Sequence, residues 1–332
     1  MIELINAPTQ AVLPEALTGL ASSPQKTLPP WLFYDERGSQ LFEKITTLPE
    51  YYLTRTERSI FAAHADDIFL NLTCPITIAE LGAGTATKTG VLLRAAIARQ
   101  SQVLYQPIDV SPTALDHAAA SLTATIPGLL VQSQVANYIT EPYTLHRPGL
   151  ATKGTRCQIL ALYIGSSIGN FSPPEAISIL RRLRSHLALG DALLLGTDLA
   201  PSPSKPIATL LAAYDDAAGV TAAFNKNILA HLNREIGADF NLDAFAHRAR
   251  WNAASSRIEM HLESLLPQTV HIPTEGQTRR ITFARGETIH TENSHKFTDT
   301  ALAALLASSG FAATRTFHDP NRSFAVTLAH TL

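Results

Sequence analysis

Short apolar runs alternate with helix-like stretches from residue 75 to residue 199, and no other feature narrows the fold as much. The runs are PITIAELGAG (75–84), VLYQPIDV (103–110), LLVQSQVAN (129–137), CQILALYIG (157–165) and DALLLGTDL (191–199). Each is rich in aliphatic residues and bounded by Pro, Gly or polar residues, which marks a buried strand. Among them lie TKTGVLLRAAIARQ (87–100), SPTALDHAAASLTATIP (111–127) and SPPEAISILRRLRSHLALG (172–190). Ser111 is the expected N-cap of the second helix, with Pro112 at its first position. Gly190 is the expected stop of the third. Strands alternating with helices predict an α/β protein, a parallel sheet covered by helices on both faces.

The rhythm stops after residue 199. IATLLAAYDDAAGVTAAFNKNILAHLNREIG (207–237) reads as two helices meeting near Gly219. RIEMHLESL, QTVHIP and TRRITFARG read as antiparallel strands. DTALAALLASSGF (299–311) is a helix, and AATRTFHD and SFAVTLAH are two late strands that bring the sheet to seven. Upstream, Ser39–Thr47 and Thr54–Phe69 are helical and belong to no β/α series. The expected organisation is a mainly parallel, seven-stranded core of 61–199 plus 287–332. A second lobe of α+β type takes 1–60 plus 200–286.

Composition removes several classes. The 332 residues are 45% hydrophobic and 16% charged, suited to a globular protein with a core. A net charge of −2 gives no cationic surface for nucleic acid. No run of ~18 apolar residues predicts a membrane span, and MIELINAPTQ has no signal-peptide pattern. Cys74 and Cys157 are isolated and read as buried structural thiols. A cytoplasmic protein is expected.

The strand tips carry the first chemistry. Gly82 and Gly84 follow a strand and precede a helix, so a ligand can approach the backbone there. Thr87 stands where a dinucleotide loop would have Gly or Ala, and Lys88 does not follow a glycine as in a Walker loop. Asp109 ends the second strand, 25 residues beyond Gly84, where a carboxylate can accept two ribose hydroxyls. Asn137-Tyr138 ends the third, an amide and an aromatic suited to a purine. In this order the three tips resemble the S-adenosyl-L-methionine site of class I methyltransferases.

Longer motifs are more specific: LPPWLFYDERGSQLFEKITTLPEYYLTRTE (28–57), LYIGSSIGNF (162–171), AAYDDAAGVTAAFNKNILAHLNRE (212–235) and GETIHTENSHKF (286–297). With ELGAGTATKT they resemble, over nearly the whole chain, the histidine-specific Nα-methyltransferases of ergothioneine biosynthesis. The resemblance implies three methyl transfers from S-adenosyl-L-methionine to the α-amine of L-histidine, giving hercynine and S-adenosyl-L-homocysteine. It implies that Asn170 and Tyr214 hold the substrate carboxylate and that Tyr34 approaches the amine. Tyr51 reaches the substrate, with Tyr52 the neighbouring alternative. Gly165 offers its carbonyl to the amine, Met260 walls the pocket, and Lys88 sits near the cofactor carboxylate. Where relatives often have Asp-Phe, this chain has Asn137-Tyr138; an amide oxygen can still accept from an adenine amine.

GETIHTENSHKF admits several readings. On a strand, residues two apart share a face, so Glu292 and Ser294 can together grip the two nitrogens of an imidazole, which the resemblance implies. Otherwise it is a polar loop before a helix cap near Thr298. His290 and His295 are five apart and would face opposite sides of a strand, so no metal is expected. Other amino acids, such as tyrosine or tryptophan, and a non-catalytic, cofactor-binding regulator are the competing functions. A two-lobed chain needs no partner subunit, so a monomer is expected.

Overall fold

The computed structural model describes residues 9–70, 72, 75–148 and 157–332. Two compact units are each built from separated stretches: Met1–Tyr52 with Lys205–Ser294, and Leu53–Ser204 with His295–Leu332. The divisions fall at 52/53 and 294/295, against the expected 60/61 and 286/287, and at 204/205, against 199/200.

The described residues begin with helix α1 (Thr9–Leu20), the two-residue strand β1 (Lys26–Thr27) and helix α2 (Glu36–Thr46). Asp35 caps α2 by accepting from the Gly38 N–H at 2.6 Å. A Cβ at Gly38 would lie 1.6 Å from the Phe33 carbonyl oxygen, so the tight entry demands glycine. Helix α3 (Tyr52–Leu70) follows. The alternating series is then β2 (Ile76–Leu81), α4 (Gly90–Gln100), β3 (Val103–Asp109), α5 (Pro112–Thr125), β4 (Leu129–Val131), β5 (Gln134–Val135), β6 (Gln158–Tyr163), α6 (Pro173–His186) and β7 (Ala192–Asp198). Ser111 caps α5 as expected, accepting from the Ala114 N–H at 3.2 Å.

The inserted stretch holds α7 (Ile207–Tyr214), α8 (Val220–Ile236), β8 (Phe245–Asn252), β9 (Arg257–Ser264), β10 (Gln268–Thr274), β11 (Gln277–Phe283) and β12 (Thr288–His295). The chain ends with α9 (Asp299–Ser308), β13 (Phe311–His318) and β14 (Phe324–Thr331).

In the second unit the sheet order is β13-β14-β7-β6-β2-β3-β4, with β5 also paired to β3. Strands β2, β3, β6 and β7 run parallel, and β14 is antiparallel to both β7 and β13. Every residue of β2, β6 and β7 is buried, as befits strands covered on both faces. The strand expected over 129–137 is split at the polar pair Gln132-Ser133. Helix α6 ends at His186, four residues before the expected stop. Leu187 is already extended, and Gly190 (φ +89°) serves the turn into β7 instead.

In the first unit the order is β1-β12-β9-β8, with β10 and β11 forming a separate hairpin. Helix α8 packs on α1, α2 and β8. It starts after Gly219 (φ +73°), the expected junction of the two helices. Cys157 is buried and its thiol pKa is raised by that burial; Cys74 lies outside the described residues. Among the described residues, no helix is long and apolar enough to cross a membrane.

Candidate active site

Two groups of residues stand out, one in each unit. In the second unit, β2 ends in a tight loop with Gly82 at φ +68° and Gly84 at φ +52°, a region that only glycine enters freely. A Cβ at Gly82 would meet the Tyr138 ring at 3.4 Å, so glycine also leaves room for that aromatic. The Gly84 N–H donates to Asp109 Oδ2 at 2.9 Å, and the Ser111 N–H donates to Oδ1 at 2.9 Å. Burial raises the Asp109 pKa, with these backbone bonds opposing it. Each carboxylate oxygen takes one backbone N–H and keeps a lone pair for a hydroxyl. Tyr138 packs edge-on against Tyr163, their hydroxyls 3.3 Å apart, and burial pushes its pKa up to about 12. The Asn137 amide oxygen accepts from the Ile139 N–H at 3.0 Å, so it caps a turn as well as standing at the strand tip.

Lys88 reaches Glu57 at 2.5 Å. Both oxygens of Glu57 also receive the Gly165 N–H, at 2.8 and 3.0 Å. Glu80, the last acid of β2, accepts from Thr89 Oγ1 at 2.8 Å and Tyr105 Oη at 2.5 Å. Burial lifts its pKa to about 7, although these hydrogen bonds and Lys88 pull it back. Neither acid is a residue that sequence reasoning picked out. The available signal was a lone carboxylate inside a mostly aliphatic strand, and an acid at the end of the TRTE motif.

Beyond β6, Gly165 (φ +80°) and Ser166 (φ +61°) turn the chain into a 3-10 turn, Ser167–Asn170. Asn170 closes that turn. Gly169 packs so tightly on His295 that a Cβ would lie 2.8 Å from its carbonyl oxygen. The neighbouring Lys296 forms a 2.7 Å ion pair with Asp198, both side chains fully buried.

In the first unit, Tyr51 packs edge-on against Tyr214 with ring centres 6.2 Å apart. Tyr214 Oη lies 2.7 Å from Ser294 Oγ. Tyr34, 38% exposed, stacks edge-on against Phe42 and Phe224, and Phe42 in turn touches Tyr51. Tyr52 is used differently: the Lys205 ammonium sits 5.3 Å above its ring. Thus Tyr34, Tyr51, Tyr214 and Ser294 form one continuous set, drawn from the N-terminal segment, α7 and β12. Glu292 is partly buried, two residues before Ser294 on the same strand. Met260 is 2% exposed on the neighbouring strand β9, and its carbonyl accepts from Thr291 Oγ1 at 3.0 Å.

A buried polar scaffold supports this set. His247 Nε2 donates to the Tyr214 carbonyl at 2.7 Å, and Asn225 Nδ2 donates to His247 Nδ1 at 2.8 Å. The same amide group reaches the His261 carbonyl, and Thr291 Oγ1 lies 2.7 Å from Asn225 Oδ1. Burial lowers the His247 pKa, consistent with a neutral ring that donates at one nitrogen and accepts at the other.

Among the described residues, Glu259, His261 and His290 are the group with metal-type donor atoms, which lie within 4.8 Å of one another. His290 therefore sits with residues of β9, and not with His295. The two imidazoles are stacked, 4.7 Å apart and 18° from parallel, so their in-plane lone pairs run side by side. Glu259 is bound by Asn252, Arg257 and His261, which hold its pKa at about 2 against the effect of burial.

The strand order, the glycine loop after β2 and the acid at the tip of β3 define a class I methyltransferase, built to bind S-adenosyl-L-methionine. The glycine cradle, the buried acceptor pair on Asp109 and the flanking aromatic fit such a ligand. The chain belongs to the family of S-adenosylmethionine-dependent, histidine-specific methyltransferases, whose model matches residues 12–331. It is 40% identical to the histidine N-alpha-methyltransferase of Mycolicibacterium smegmatis over 322 residues, 96% of this chain and 95% of that protein. Its identity to the enzyme of the same name from Mycobacterium tuberculosis is 39% over 315 residues, 95% of this chain and 93% of that one. Ergothioneine biosynthesis protein 1 of Neurospora crassa is 32% identical over 217 residues, 64% of this chain and 23% of that protein.

Proposed function

We propose that this protein is a cytoplasmic, monomeric enzyme that trimethylates the α-amine of L-histidine to hercynine, a step toward ergothioneine. The observation that carries the reading is the Tyr214–Ser294 contact, with Glu292 presented on the same strand. Family membership and the two mycobacterial relatives support the substrate. Two cysteines in 332 residues, with Cys157 a buried free thiol, suit a reducing compartment.

S-adenosyl-L-methionine supplies an electrophilic methyl group on a sulfonium. Each turnover would form a C–N bond and break the C–S bond, leaving S-adenosyl-L-homocysteine, and the amine's proton would pass to solvent, directly or relayed through a nearby hydroxyl. The nucleophile must be the neutral amine, and once the α-ammonium has lost its proton the alignment of the lone pair with the methyl carbon matters more than a strong base. In this reading Gly82, Gly84, Lys88, Asp109, Asn137 and Tyr138 hold the cofactor. Asn170 and Tyr214 bind the substrate carboxylate, while Tyr34 and the Gly165 carbonyl orient the amine. Tyr51 and Met260 shape the pocket. Glu292 and Ser294 grip the imidazole, and a carboxylate strengthens that bond through its charge.

The test is Glu292→Ala assayed with S-adenosyl-L-methionine against twenty amino acids, with products read by mass. The expected result is a histidine KM raised by roughly a hundredfold, since a lost bond to a charged group costs about 1.5–3 kcal/mol or more. Cofactor affinity should stay within about threefold. Unchanged histidine kinetics would remove Glu292 from the pocket, and methylation of another amino acid in preference to histidine would overturn the substrate.

A further inference from the structure

We propose that Glu57 is a positioning residue for methyl transfer: its carboxylate fixes the Gly165 peptide and the Lys88 ammonium as one unit. This rests on the reading of Gly165 and Lys88 in the preceding section. Glu57 is fully buried on α3. A carboxylate is stable there only if its oxygens are bonded. They are: Oε1 and Oε2 lie 2.8 and 3.0 Å from the Gly165 nitrogen, and Oε2 lies 2.5 Å from Lys88 Nζ.

The seat for this group is specific. A Cβ at Gly196 of β7 would lie 2.0 Å from Glu57 Oε1, although Gly196 has no positive φ. Its glycine therefore provides space, not backbone freedom. A Cβ at Gly165 would meet Lys88 Nζ at 3.0 Å, besides the strain of φ +80°. Holding the Gly165 N–H fixes the peptide plane that joins residues 164 and 165, so the direction of the Gly165 carbonyl is then set by the backbone rotations at Gly165 itself, where φ is +80°. Holding Lys88 takes one of three ammonium donors and leaves the group anchored for an anionic ligand. One side chain thus couples the cofactor loop to the turn after β6.

Two substitutions separate the two contacts. Glu57→Gln keeps an oxygen for the Gly165 N–H but removes the charge that holds Lys88. It should raise the KM for S-adenosyl-L-methionine by roughly tenfold and leave kcat within about threefold. Glu57→Met removes both contacts, and kcat should fall by on the order of a hundredfold as well, the usual effect of misplacing reacting groups by about 1 Å. Combined with Lys88→Met, Glu57→Gln should add little, because the two act on one interaction.

The Gly196→Ala variant displaces the carboxylate without removing it and should repeat the KM and kcat changes of Glu57→Met in a protein that retains its circular dichroism. Equal kinetic losses in Glu57→Gln and Glu57→Met, or multiplicative effects with Lys88→Met, would reduce Glu57 to a packing residue. An inert Lys88→Met would overturn the cofactor reading of Lys88, and the Glu57 assignment with it.

Discussion

Glu80 is the penultimate residue of a strand whose every residue is buried, and its pKa of about 7 lies well above the ordinary carboxylate value. The folded state therefore holds a proton that the unfolded chain releases near pH 4.5. Its stabilising effect is complete below that pH and is lost as pH rises through about 7. His261, held at about 4 by burial, acts in the opposite direction: its contribution is lost as pH falls from about 6.5 through 4. Comparing wild type with Glu80→Gln isolates the first effect. In urea melts between pH 4.5 and 7.5, the variant should lose less stability with rising pH than the parent. Parallel curves would mean that Glu80 titrates normally. Activity has its own pH signature, set by the substrate amine: histidine kcat/KM should rise with pH toward the pKa of the free amino acid's α-ammonium, which its own carboxylate holds above the ~8 of a peptide N-terminus. A flat profile from pH 6 to 9 would count against the amine as the group that must be neutral.

At the level of elements, β12 depends on what surrounds it. Thr291→Val keeps the shape and removes the hydroxyl that bonds Asn225 and the Met260 carbonyl. Leaving that buried amide oxygen unpaired should cost about 1–3 kcal/mol in chemical denaturation; an unchanged midpoint would show that the scaffold is dispensable. Gly169→Ala should force the 3-10 turn away from the His295 carbonyl, lowering Tm and histidine kcat/KM together. These dependencies explain what could be read in advance. The aliphatic strands β2, β3, β6 and β7 and the cap at Ser111 announce themselves, because burial and capping are local in sequence. TIHTENSH has one apolar residue, Ile289, and no apolar period; its strand character comes from β9 and β1 alongside it, so only its period-two pair was legible. Strand β8 does carry a signal, Ala249 and Trp251 alternating with Arg248 and Arg250, that escaped notice. Helix α1 is masked by Pro14 within it. Glu57 and Lys88 meet across 31 positions, and Asn225 and His247 across 22; no spacing rule links such pairs.

For the whole molecule, the path of the chain matters more than any single contact. It leaves one unit for the other after Tyr52, Ser204 and Ser294. All six residues read as cofactor ligands fall within the 53–204 stretch. Deleting residues 1–33 removes β1 and the buried Leu28, Leu32 and Phe33. Histidine turnover should then be lost, while calorimetric binding of S-adenosyl-L-homocysteine stays within about threefold, as expected for units with their own cores. Loss of both would show that the core does not fold without the N-terminal segment. The same segment has a bearing on how such enzymes diverge. Strand β12 is flanked on one edge by Lys26–Thr27 and on the other by β9, and a one-residue slip would turn every side chain to the opposite face. New amino-acid preferences in this lineage should therefore arise by exchanging the residues at 292 and 294, while insertions or deletions within 288–294 are purged.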